Sequence, residues 1–282
     1  MSVGDNNTSI YIYNGADEVP EDVIHVRVDP SVTVIPEGAF EDRLSLEEVE
    51  LLEGLIRIEK NAFNCCESLK RINIPTTIEE ISESAFESCH KLDEITLPEG
   101  LQRLGVYAFS FCKSLKQINI PPGITTIEQA ALYDCRGLTD ISFSEGLREI
   151  GEDAISRCIS LVSVTFPSSL NVIGVESFEG CSRLTEVHMP ETIESIGAKA
   201  FKGCNFINFR FPPSLGNDVD ISIVGDNRRL VSIELPETIE QLVDYHDADE
   251  YGTDHLCALR NIALPSECVM DTDSLYYCSD LG

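Results

Sequence analysis

The chain has 282 residues, 43% of them hydrophobic, but no Trp and only 7% aromatics, so Leu, Ile and Val must fill any core it builds. With 20 Lys+Arg against 49 Asp+Glu the formal charge is −29. A surface this acidic repels phosphate backbones and anionic lipid, which argues against a nucleic-acid binder or a peripheral membrane protein. No stretch approaches the ~18 consecutive apolar residues of a membrane span, so no membrane insertion is expected.

The first residues, MSVGDNNTS, lack the basic and apolar regions of a secretory leader, so a cytoplasmic address is expected. Ile10–Tyr13 reads as a short strand closed by the turn signal Asn14-Gly15. Val23, Val26 and Val28 then open a periodic pattern. Residues 1–22 are therefore expected to cap the end of a core, with residues 1–9 loose.

From here the chain repeats itself. Ala-Phe stands at Ala39-Phe40, Ala62-Phe63, Ala85-Phe86, Ala108-Phe109 and Ala200-Phe201, with softer versions at Ala131-Leu132, Ala154-Ile155 and Ser177-Phe178, in steps of 23 residues or a multiple of 23. A cysteine follows in register at Cys66, Cys89, Cys112, Cys135, Cys158, Cys181 and Cys204, and Arg43 takes its place in the first such unit. Next comes an apolar alternation, as in Leu69, Ile72, Ile74 and Pro75, or Leu92, Ile95, Leu97 and Pro98. Period two means a strand with one buried face, and Pro ends it because it cannot donate to a ladder. A second apolar pair follows, such as Ile78 and Ile81; Gly54, Gly100, Gly123 and Gly146 precede it, where a turn with positive φ is plausible. The Ala-Phe-x-x-Cys piece is too short for more than a helical turn. One unit cannot bury its own apolar face, but stacked copies can, about 4.8 Å apart. Ten or so coils make a body on the order of 50 Å long.

This pattern resembles the treponemal or BspA-type leucine-rich repeats, whose consensus carries the same I-x-I-P, A-F-x-x-C spacing. The match runs from about Val23 to Leu281 and is most specific from Ala39 to Phe211. The resemblance implies a leucine-rich-repeat right-handed superhelix, with one β-strand and a short helical turn per coil. It also implies protein binding or scaffolding, because the family pattern contains no catalytic residue. Members occur in bacterial surface adhesins and in unicellular eukaryotes, so a surface or secreted adhesion protein, or a fragment of a larger scaffold, is the alternative.

The regular repeats are expected over 23–211 and degenerate ones over 212–282. Pro212 arrives one residue early, Asn227 holds the cysteine position, and Pro236 to Pro265 spans 29 residues, six more than a repeat. The surplus falls in an acidic insertion near 243–255, and an incomplete repeat begins at Ser274.

Candidate sites are few. The cysteine ladder is expected to be small buried hydrophobes, since a single row does not converge on a metal. Cys65 lies in a polar column and is expected to be the exposed, reactive thiol. Glu47-Glu48, Lys70-Arg71, Asp93-Glu94 and Lys116-Gln117 alternate in sign from coil to coil; stacked, they form a charge ladder on the strand face. Arg71, Glu94, Gln117 and Asn119 are the candidate protein-binding residues there. Tyr107, Phe111 and Tyr133, at non-core positions of neighbouring coils, are a second candidate patch. Asp247–Gly252 imitates the start of a calcium loop, but Tyr251 and Ala258 fall where ligands are needed, so a solvated loop is the reading. The five histidines lie in unrelated frames. No catalytic residue, cofactor or metal is expected; the partner is a protein.

Overall fold

Ile-x-Ile alternation recurring once per coil places equivalent strands side by side, and the computed structural model of the chain shows that arrangement. The structure describes residues 10–243, 258–263 and 268–270. One row of parallel strands runs Tyr11–Tyr13, His25–Val28, Glu48–Glu50 and Arg71–Asn73. It resumes as the pairs Gln117–Ile120 with Asp140–Phe143 and Ser163–Thr165 with Glu186–His188. It ends as Asn208–Arg210, Ser232–Glu234 and Asn261–Ala263. Partners in the regular part stand one coil apart, as in Glu48 with Arg71 and Ile118 with Ile141.

The second apolar pair does more than expected, because it forms a strand of its own. Val34–Ile35, Arg57–Ile58, Glu80–Ile81 and Arg103–Leu104 make a second parallel row, continued by Thr126–Ile127, Glu149–Ile150, Val172–Ile173 and Ser195–Ile196. Each regular coil therefore turns twice between short strands. The Ala-Phe-x-x-Cys segment is a hydrogen-bonded turn and not a helix; among the described residues only Ile221–Val224 winds into a short 3-10 helix.

The core lies between the two rows. Phe40, Phe63, Phe86 and Phe109 are fully buried and stack at centroid distances of 4.8, 5.2 and 5.2 Å with nearly parallel planes. Leu132 and Ile155 interrupt the column, and it resumes with Phe178 on Phe201 at 5.2 Å. Tyr13, 3% exposed, closes the near end edge-on to Phe40 at 4.9 Å.

The turns hold their shape at two columns of positive φ. One includes Asn61 (56°), Tyr107 (57°) and Lys199 (57°); the other includes Asp42 (59°), Phe111 (59°) and Arg157 (60°). Of the glycines assigned to turns, Gly54 and Gly146 have φ of 102° and 110°, while Gly100 and Gly123 do not use the left-handed region. The acidic insertion beyond Val243, the calcium-loop imitation, the unfinished final repeat and residues 1–9 lie outside the described residues.

Candidate binding faces

The cysteine column has a role beyond filling space. Each thiol donates to a backbone carbonyl of the preceding coil: Cys66 to Phe40, Cys89 to Phe63, Cys112 to Phe86, and so on to Cys204 to Phe178, at Sγ–O distances of 3.0 to 3.4 Å. Burial raises these thiols, Cys66, Cys135 and Cys181 to about 12. All seven ladder cysteines are free. Where the column changes residue, its task persists. Asn227, fully buried, gives its amide to the carbonyls of Phe201 (2.8 Å) and Val224 (2.9 Å) and accepts from the Phe206 N–H (3.2 Å). Arg43 donates to the carbonyls of Val19 and Glu41, both at 2.8 Å.

Cys65 departs from expectation. It is half-buried, and burial followed by the nearby Asp42 carboxylate raises its thiol, so it does not ionise like a free one. Its backbone is left-handed, with φ of 59°, like the rest of its column.

The strand face carries a groove of about 720 Å³ over the first four coils, lined by His25, Glu48, Glu50, Arg71, Asn73 and Glu94 among others. The charge ladder is real but one-sided: Lys70, Arg71 and Lys116 each reach back to the coil before. Arg71 meets Glu48 at 3.2 Å, Lys70 meets Glu47 at 3.0 Å, and Lys116 meets Asp93 at 3.2 Å. Arg27 pairs with Glu50 in the next column. Asn73 clamps the neighbouring strand, donating to the Leu51 carbonyl (2.7 Å) and accepting from the Leu51 N–H (3.0 Å). Residues 92–98 keep Ile95 and Leu97 buried and Glu94 and Thr96 exposed, but they form no strand ladder. Of the sequence candidates, Arg71 and Glu94 therefore line the groove, whereas Gln117 and Asn119 lie on the strand beyond that break. Asn119 instead accepts from the Ser142 hydroxyl at 2.7 Å.

On the edge formed by the turns, Phe111 and Tyr133 meet edge to face at 5.4 Å. The Lys113 ammonium lies 5.9 Å over the Phe111 ring, and the Arg157 guanidinium 5.5 Å over Tyr133. Tyr107, 36% exposed, belongs to the same edge but shows no ring contact with either. Sequence reasoning found the aromatics and missed the cations, because the rows His90–Lys113–Arg136 and Asp134–Arg157 become visible only when neighbouring turns stack. It also missed the half-buried carboxylates of Asp153, Glu176 and Glu179, whose oxygens lie within 4.8 Å of one another. Burial raises Asp153 and Glu179, and Glu176 adds to the rise at Glu179. Lys199 answers Glu176 at 3.8 Å.

The model of the BspA type leucine rich repeat region matches residues 21–138 and 104–220, and the chain belongs to that family. Solenoids of this class serve as protein-interaction scaffolds, and theirs is not a known catalytic fold. Among solved structures, a leucine-rich repeat protein from Bacteroides ovatus superposes with a TM-score of 0.69 at 20% identity over 88% of this chain and 82% of that one, which shows a common fold. A leucine rich cell surface protein from Faecalibacterium prausnitzii aligns at 0.46 and 21% identity over 100% and 96%. The T. pallidum leucine rich repeat protein aligns at 0.47 and 29% over 59% and 73%. No curated protein matches the sequence. No helix among the described residues is long and apolar enough to cross a membrane.

Proposed function

We propose that the chain is a non-enzymatic protein-interaction module that presents its strand face and its aromatic turn edge to a protein partner. The observation that carries this reading is the groove over the first four strands, where charged and amide side chains of successive coils stand on a rigid apolar floor that includes Ile72 and Ile95. Solenoids bind partners on such extended faces because the side chains are already held in place, so little entropy is lost on docking. The steps of 23 residues between paired side chains support the treponemal form of the repeat. We read residues 1–22 as a cap, 23–211 as the regular body and 212–282 as the degenerate end. Free thiols along the whole ladder favour a reducing, cytoplasmic setting over the surface or secreted alternative.

The test is capture by the immobilised chain, followed by a binding isotherm for each captured protein. The expected result is a saturable protein ligand whose affinity falls when Arg71, Asn73 or Phe111 is replaced. Ligands indifferent to all three substitutions, or no saturable protein ligand at all, would remove this reading.

A further inference from the structure

Around Phe111 and Tyr133 the turn edge gathers three cations, alongside the Asp134, Asp153 and Glu179 carboxylates near Tyr133. Lys113 and Arg136 are successive neighbours in one column, and Arg157 stands beside Tyr133 one coil further on. On the strand face, cations such as Lys70, Arg71 and Lys116 are each answered by a carboxylate. Lys113 and Arg157 are not paired in this way: among the described residues, neither has a carboxylate within ion-pair distance, although the Arg157 charge is felt by Asp153 and the chain has 49 acidic residues to 20 basic ones. Lys113 is instead held by His90, whose Nε2 lies 2.9 Å from Nζ while Nδ1 lies 2.6 Å from the Ser88 carbonyl. That geometry needs a neutral imidazole, with Nδ1–H donating to the carbonyl and Nε2 accepting from the ammonium. Arg136 is steered from beneath by Asp134, 3% exposed, whose two carboxylate oxygens accept from Nε at 2.9 and 3.1 Å. The Arg136 side chain is 55% exposed.

Three cations thus surround two half-buried rings that meet edge to face. Aromatic and Arg side chains are the groups that interfaces favour as anchors, and a ring between cations gives an apolar seat rimmed by donors. We propose that this edge, built by Phe111, Tyr133, Lys113, Arg136 and Arg157, is a docking site for an acidic peptide segment carrying one apolar side chain. The apolar side chain rests against the Phe111–Tyr133 pair, and flanking carboxylates accept from Lys113, Arg136 and Arg157. Charge complementarity selects this occupant: on a chain of net charge −29, Lys113 and Arg157 are cations with no carboxylate within ion-pair distance among the described residues, and both lie over the rings. The assignment rests on the interaction-module reading and names one of its faces and the chemistry of its ligand.

The repeat supplies its own substitutions for a test. Lys113→Glu installs the residue that Glu67 provides in the same column two coils earlier, and Arg157→Gly installs that of Gly180 one coil later. Phe111→Ser copies Ser88, which has the same positive φ (60° against 59°). The probe is a fluorescein-labelled peptide of Asp and Glu around one central Leu, read by anisotropy against the full chain. The expected result is saturable binding that weakens at least about fivefold for Lys113→Glu and for Phe111→Ser and is unchanged for Arg103→Gln, an exposed cation of the second strand row that lies on neither binding face. A peptide with Ser for Leu, and one with Lys for the acids, bind more weakly still. Thermal unfolding of each variant separates a lost site from a lost fold. Equal binding of the Leu and Ser peptides overturns the aromatic seat, and absence of saturable binding overturns the site. Loss with Arg71→Glu but not Lys113→Glu moves the ligand to the strand face, which sinks this inference while leaving the module reading intact. Concentration-dependent dimers abolished by Lys113→Glu make a second copy the occupant and overturn the peptide assignment.

Discussion

A single atom marks a break in the small-residue column of the interior. The column of Ala39, Ala62, Ala85, Ala108, Ala131, Ala154 and Ala200 is broken by Ser177, whose hydroxyl is buried and has no hydrogen-bond partner among the described residues. An orphaned buried hydroxyl carries its desolvation penalty uncompensated, so Ser177→Ala should raise stability by about 1 kcal/mol in urea denaturation. An unchanged or lowered midpoint would mean that the hydroxyl is bonded. The thiols make a prediction of opposite sign. Their folded pKa values are raised, to about 12 for Cys66, Cys135 and Cys181, while an unfolded thiol titrates near ~8.5. The stability this contributes is complete below the unfolded value and is lost as pH rises towards the folded one. Between about pH 8.5 and 12 the unfolded chain sheds protons that the folded chain retains, so each buried thiol withdraws up to about 1.4 kcal/mol per pH unit. Unfolding free energy should fall steeply from pH 9 to 10, and Cys112→Ser should make that slope shallower by one proton. A flat profile over that range would mean that the column is not buried.

At the scale of the element, the Phe column and the strand-face ladder make different demands. Phe109 is fully buried, with Phe86 at 5.2 Å on one side, so Phe109→Ala opens a cavity that the neighbouring coils cannot close. The loss should be about 3–5 kcal/mol by chemical denaturation; under about 1 would show the column to be loosely packed. Arg71 and Glu48 are 73% and 42% exposed, and such pairs are weak. Arg71→Glu sets three acidic side chains in succession at positions 48, 71 and 94, and the urea midpoint should drop by the equivalent of no more than about 1 kcal/mol at low salt. The drop should vanish at 1 M salt, where the Debye length is about 3 Å. An unchanged low-salt midpoint would make Arg71 dispensable for stacking and leave it to binding alone. These contrasts also show what was legible beforehand. Ile72, Phe63 and Cys66 announce their burial because each recurs at one spacing, and spacing is all that stacking requires. The second strand row was not legible: Ile78 and Ile81 look the same in a loop as in a two-residue strand, and only the neighbour's carbonyls make the difference. The Lys113–Phe111 and Arg157–Tyr133 contacts were hidden for a related reason, since turn residues at positive φ point where no periodicity rule places them. Cys65 was misjudged because its column is polar in sequence yet partly covered in space.

For the whole molecule, the strand gap at 92–98 bears on how coils depend on one another. Neighbouring coils remain joined there by the second row, where Glu80–Ile81 pairs with Arg103–Leu104, and by the Cys89 and Cys112 thiols. A stack joined by nearest-neighbour contacts has a stability close to a sum over coils and their interfaces. Removing residues 83–105 as a block should therefore leave a chain that still unfolds in one cooperative transition, with a smaller denaturant dependence because less surface is exposed. Removing 22 residues instead puts Cys112 out of line with the Phe63 carbonyl that it would inherit, and that chain should not fold. Circular dichroism of the two deletions in urea distinguishes them, and equal behaviour would refute the point.

The thiol-to-carbonyl bond acts, in this light, as a gauge. Cys66, Cys158 and Cys204 all reach back by the same offset of 26 residues to Phe40, Leu132 and Phe178, whatever the side chain found there. The donor recognises a place on the backbone and is indifferent to the residue that occupies it. Surface columns are thereby released from the interior: a turn can exchange Glu67 for Lys113, or Ser88 for Phe111, while the gauge reads the same length. A lineage carrying such a gauge can change what its edges recognise, and how many coils it carries, by whole-unit duplication without refounding its core.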